Sequence, residues 1–133
     1  MRLSDTWCEQ FIRLCGDQVR QRGEILLDLD STDDPTHGQQ QLSFFNGAYG
    51  QHMYHPMLIF ERHSGCLLAA RLRRGNASSH ARIVPMLVRL VPRLEAAFPG
   101  RKNQTARRRW FRPAPALPVL RVLRDRVCPR YPR

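Results

Sequence analysis

Apolar side chains recur along the first twenty residues at Trp7, Phe11, Leu14 or Cys15, and Val19, three or four positions apart, which is the spacing of one face of a helix. Ser4 or Asp5 can cap that helix and Gly23 can end it, while Gly16 weakens its middle. The period then changes. Glu24-Ile-Leu-Leu-Asp-Leu-Asp30 is a short strand-compatible run that stops at the turn-rich Ser31-Thr-Asp-Asp-Pro35. Residues 36–52, rich in Gly, Gln, Asn and aromatics, carry no sustained period and read as a loop or a wide hairpin connection. Tyr54 to Glu61 and Cys66 to Leu72 flank a turn at His63-Ser-Gly65 and predict an antiparallel hairpin. Arg73 to Ser78 reads as a loop closing on a helix cap. Beyond it Ile83, Met86, Leu87, Leu90, Val91, Leu94 and Phe98 fall on one helical face. Pro85 suits a first turn, Pro92 predicts a kink or a break, and Pro99-Gly100 ends the element. The expected order is helix, three consecutive strands, helix.

With 133 residues the chain has room for one domain. Its net charge of +11 is unevenly placed. Residues 1–100 hold 11 Lys/Arg against 10 Asp/Glu, whereas residues 101–133 hold 11 Lys/Arg against Asp125 alone. That second segment also carries five prolines, and only residues 117–127 suggest a short helix, so it reads as an unstructured basic tail. The expected divisions are a helical segment at 1–23, an α/β domain at 24–100 and the tail at 101–133. Cys8, Cys15, Cys66 and Cys128 form no C-x-x-C pair and no zinc spacing with the five histidines, which predicts reduced thiols rather than a disulfide scaffold or structural metal. No apolar run reaches the roughly 20 residues of a membrane span and no secretory leader is evident, so a cytoplasmic location is expected.

Asp28 and Asp30 are the chemically informative pair. Two apart on a strand, they project from one face while Leu27 and Leu29 project from the other. Adjacent like charges on an apolar strand call for a cation or several hydrogen bonds, and a hard divalent metal such as Mg²⁺ suits them. A purely structural account competes: Asp30 opens an Asx-type turn and Asp28 is half exposed. A calcium loop beginning at Asp28 is disfavoured, because Asp33 and Gln39 stand where its glycine and bidentate glutamate belong. His37-Gly-Gln-Gln40 follows within reach of the same strand end, as a phosphate contact or simply as a solvated turn. His52 and His55, three apart, fall on opposite strand faces and do not share a ligand. Arg71, Arg73 and Arg74 are candidate contacts for DNA phosphates.

Leu27-Asp-Leu-Asp-Ser-Thr-Asp-Asp-Pro-Thr-His-Gly-Gln-Gln40, Phe44-Phe-Asn-Gly47, Tyr54-His-Pro-Met-Leu-Ile59 and Leu72-Arg-Arg-Gly-Asn-Ala77 closely resemble the catalytic core of insertion-sequence transposases with a group 1 DDE domain, over about Gly23 to Gly100. The resemblance implies an RNase H-like α/β fold, present here in part, in which two aspartates and one glutamate hold two divalent ions, Mg²⁺ or Mn²⁺. It implies cleavage at transposon ends and strand transfer into target DNA, so DNA is the expected partner and full-length transposase a possible second. Carried over by position, Asp30 of the Asp-Ser-Thr motif corresponds to the first catalytic carboxylate, with Asp28 as the alternative.

The pattern breaks after Pro99-Gly100. The resemblance calls for a strand ending in Arg-Ala-Asp, small residues and Phe, and the chain reads Thr105-Ala-Arg-Arg-Arg-Trp-Phe-Arg112. Codons ACC GCG CGC CGA CGG TGG TTT CGC encode that octet, and reading one base further on they encode Pro-Arg-Ala-Asp-Gly-Gly-Phe. A frameshift between about Gly100 and Thr105 is therefore expected, leaving an active site without its second aspartate and a fragment inactive alone. The competing account takes Arg107, Arg108 and Arg109, with Trp110 and Phe111, as a basic arm that binds phosphates and stacks on bases. A pseudogene product with no function is the remaining alternative.

Overall fold

The structure, a computed structural model, describes residues 3–38, 40–100 and 102–107, the last six by backbone alone. Helix α1 spans Leu3–Arg22. The strands β1 (Glu24–Ser31), β2 (Asp34–Pro35), β3 (Phe44–Asn46), β4 (Gln51–Tyr54), β5 (Met57–Glu61) and β6 (Leu67–Arg71) follow without an intervening helix. Helix α2 (Ile83–Ala97) then leads to β7 (Lys102–Arg107). A four-stranded sheet has the order β6-β5-β1-β7, with β1 antiparallel to β5 and parallel to β7. A smaller sheet, β2-β4-β3, continues from the end of β1 and the start of β5.

One core joins the two helices to one face of the large sheet. From α1 come Cys8, Phe11 and Val19, from β1 Ile25, Leu27 and Leu29, from β5 Met57 and Ile59, and from α2 the predicted apolar face through Phe98. The choice between Leu14 and Cys15 is resolved by packing: Leu14 is 69% exposed, and Cys15 lies against the core. Gly16 is buried in the middle of α1 because the end of α2 approaches there. A Cβ at that position would stand 3.7 Å from the Phe98 ring, which packs edge-on against Phe11 at 6.3 Å.

Four expectations change. The segment 36–52 is a hairpin of β3 and β4, and Tyr54 ends β4 instead of starting the next strand. Part of the supposed turn, Asp34–Pro35, pairs with β4 as β2. Ser78 does not cap α2. The helix starts at Ile83 after Arg82, which has a positive φ of 65°, because the backbone from 78 to 81 is held in turns around a buried arginine. Pro92 neither splits nor ends α2. It lies on the exposed side beside Val88, where water can take the place of the missing backbone donor.

The largest correction concerns the tail. Lys102–Arg107, expected to be unstructured, runs as β7 alongside β1 from Glu24↔Lys102 to Leu29↔Arg107. Strand pairing is a backbone interaction, and the open edge of β1 supplies donors and acceptors whatever side chains the neighbour carries. The suggested helix at 117–127 lies outside the described residues.

Candidate active site at the end of the central strand

β1 alternates strictly. Ile25, Leu27 and Leu29 face the helices, and Asp28 and Asp30 occupy the opposite face, where both are half-buried. Their cross-strand neighbours on β5 are Phe60 and Leu58 respectively. Asp28 sits beside Ala106 of β7. The pleat thus places both carboxylates on one surface, as the spacing predicts.

The two are not equivalent. The Arg62 guanidinium donates to Asp28 Oδ1 at 3.4 Å. Arg62 reaches that position because its backbone N–H donates to the Leu26 carbonyl, 2.8 Å away, just beyond the end of β5. Nothing in the local sequence signals this pair, since the partners are separated by the entire small sheet. Asp30 stands one pleat nearer the strand end, where Ser31, Met57 and Arg71 line up across β1, β5 and β6.

The segments that carried the resemblance meet at this same end. Asn46 of Phe44-Phe-Asn-Gly47 accepts the Ala48 N–H in the β3–β4 turn and donates from Nδ2 to the Gly75 carbonyl at 2.7 Å. Gly75 is required there, since a Cβ would stand 2.0 Å from the Met53 carbonyl oxygen and 2.4 Å from that of Phe44. Arg74 lies over the Phe44 ring at 5.6 Å. Arg73 is buried and turns inward, donating to the carbonyls of His55 (2.6 Å), Ser78 (3.0 Å), Ser79 (3.2 Å) and Ala81 (3.0 Å). Burial lowers its pKa to about 10, which leaves it a cation at neutral pH.

Of the arginines considered as DNA contacts, Arg71 and Arg74 are exposed, whereas Arg73 is committed to holding the 73–82 segment. Arg107 ends β7, and Arg108 and Arg109 lie outside the described residues. Sequence reasoning missed the structural role of Arg73. Gly75 in the Arg-Gly-Asn run was a signal of close backbone approach, but nothing in the run distinguishes the buried Arg73 from the exposed Arg74. His52 is exposed and packs edge-on against Phe45, whereas His55 is buried with Nδ1 donating to the Ala77 carbonyl at 2.8 Å, so the two histidines do lie apart. His37 is exposed, and its carbonyl accepts from the Gln40 amide at 3.4 Å. A separate groove of about 600 Å³ between α1, β6 and α2 is lined by Arg71, Arg82 and Arg89 over an apolar floor that includes Met86 and Leu90.

Asp30 can serve as an oxygen ligand for a hard cation. Asp28 shares one carboxylate oxygen with Arg62, which leaves its Oδ2 for a cation. Among the described residues no group of three or more His, Cys, Asp or Glu side chains is placed to hold a metal ion, so the residues present do not complete a two-ion site. Among the same residues, no helix is long and apolar enough to cross a membrane.

Comparison with curated proteins and with solved structures finds no match. A family model described as "Transposase DDE domain group 1" matches residues 2–106, well over half of the chain. The match takes in α1, set apart from the domain by its sequence, and runs through the first five residues of β7. By this match, and by the ordered motifs gathered around the end of β1, the chain belongs to the group 1 family of transposase DDE domains.

Proposed function

We propose that this chain is the incomplete core of a DDE transposase, built on a partial RNase H-like fold, in which Asp30 corresponds to the first catalytic carboxylate and Asp28 to its alternative. The single observation that carries this reading is the parallel register of β1 with β7, which reaches Leu29↔Arg107. A strand continuing in that register would bring position 108 alongside Asp30. The one-base shift in reading frame puts the aspartate of Arg-Ala-Asp at position 108. An antiparallel β1-β5-β6 meander followed by a helix and a strand parallel to β1 also supports the fold assignment.

In the complete family site, Mg²⁺ or Mn²⁺ would promote phosphodiester cleavage and strand transfer at transposon ends. Among the described residues no group of three or more carboxylates, histidines or cysteines could hold such an ion, and the chain is read as inactive alone. Arg71 and Arg74, with Arg107, Arg108 and Arg109 of the basic segment, are proposed to hold DNA by its phosphates, in the cytoplasm and at the nucleoid. Association with a full-length transposase is the second proposed partnership.

Two measurements test the reading. The gene is expected to encode Arg-Ala-Asp in the neighbouring frame across the codons for residues 106–109; if no frame there does so, the frameshift is refuted. The purified chain is expected to leave transposon-end DNA uncut in Mg²⁺. Robust cleavage that disappears in Asp30→Ala would overturn the assignment of inactivity.

A further inference from the structure

The thiols of Cys15 and Cys66 lie 3.7 Å apart, sulfur to sulfur, although they belong to α1 and to the hairpin leading into β6. Both are partly buried, whereas Cys8 is fully buried within the core. We propose that Cys15 and Cys66 are an oxidisable pair that forms a disulfide within the folded chain, with hydrogen peroxide as oxidant. The inference stands independently of the DNA reading.

A disulfide holds its sulfurs at about 2.05 Å, so the pair must close by roughly 1.7 Å. The hairpin backbone is pinned, the Glu61 N–H donating to the Cys66 carbonyl at 2.9 Å, so the closure falls to rotation of the two side chains. Cys66 follows Gly65, which has a φ of 68° and open space where a Cβ would be. The turn is held by the Gly65 N–H to the Glu61 carbonyl at 2.8 Å and by the Cys66 N–H to the Ser64 hydroxyl at 3.3 Å. Cys15 packs against the core but is itself only partly buried, so peroxide can approach without unfolding the helix.

The chemistry balances. One sulfur attacks a peroxide oxygen and breaks the O–O bond, giving a sulfenic acid and one water. The second sulfur displaces the hydroxyl of that sulfenic acid, forming the S–S bond and releasing a second water. Two electrons and both thiol protons pass to the peroxide. The resulting loop from residue 15 to residue 66 encloses β1 through β5, so the bond would staple α1 to the hairpin and restrict the unfolded chain.

The test treats the full chain with hydrogen peroxide, blocks remaining thiols, and maps peptides without reduction. A Cys15–Cys66 peptide is expected to dominate in the native chain, against a mixture of linkages in guanidinium. Oxidation is expected to raise the melting temperature by on the order of 10 °C, reversibly with dithiothreitol. Cys15→Ser and Cys66→Ser should each abolish both effects, and Cys128→Ser should leave them intact. The proposal is overturned if native oxidation gives the same mixture as the denatured chain, links either cysteine chiefly to Cys128 or to another chain, or yields sulfinic acids without a Cys15–Cys66 bond.

Discussion

Arg73 shows how a charge read as a ligand contact becomes a structural fastener. Its guanidinium donates to three carbonyls of the irregular 78–81 segment and to that of His55, ties that would be costly to lose from a buried site. Arg73→Ala is expected to destabilise the chain by about 3 kcal/mol or more, and Arg73→Lys by somewhat less, because an ammonium lacks the planar fork. Urea unfolding midpoints decide this, and a change within experimental error would remove Arg73 from the fold's essential contacts. Two other buried groups set the pH dependence. Burial lowers the His55 pKa below its ordinary 6.5, and nearby Arg73 adds to this, against the raising effects of the Ala77 hydrogen bond and Asp33. The unfolded chain therefore takes up that proton first, and stability is lost as pH falls from about 6.5 toward the folded value. Burial alone would raise the pKa of Glu61. Hydrogen bonds from Ser64 and the His63 backbone, together with Arg22, outweigh it and hold the carboxyl below its ordinary 4.5. Its contribution is present above 4.5 and lost as pH falls through the folded value. Denaturation midpoints should decline in two stages on acidification, and His55→Gln should flatten the first. A midpoint constant from pH 6.5 to 4.5 would contradict the His55 assignment, and one that stays level below 4.5 would contradict that of Glu61.

The elements were legible to different degrees, for reasons tied to their packing. α2 was readable almost residue by residue because its apolar face packs on a single surface, so the period survives intact. β1 was readable because alternation on a sheet with one buried face leaves little choice. The β2-β4-β3 sheet was not, because its short strands are largely exposed and its stability rests on side-chain contacts such as Asn46 to Gly75. β7 was not readable from its own residues, which carry no strand period; only the resemblance implied a strand there, and its strand state comes from the edge it joins. Deleting residues 101–133 should therefore leave β1 with an open edge, lowering the urea midpoint and promoting aggregation. An unchanged midpoint and a monodisperse truncated chain would show that β7 contributes no stability to the fold.

For the molecule as a whole, charge is the property that acts at long range. The +11 net charge is concentrated beyond residue 100, and any DNA binding that depends on it should weaken steeply with salt. In gel-shift titrations of transposon-end and unrelated DNA, the two affinities are expected to fall together as salt rises. A preference for end sequence that survives salt would instead identify a specific DNA-binding arm. The amino-acid order was enough to establish the helix–strand–helix succession, the shared face of Asp28 and Asp30, and the family, because each rests on local periodicity or on contiguous motifs. The pairing of Arg62 with Asp28, the inward turn of Arg73, the meeting of Cys15 with Cys66 and the joining of β7 to β1 could come only from the folded chain. Each depends on groups that are distant in sequence, and contacts of that kind are set when the strands choose their neighbours and register.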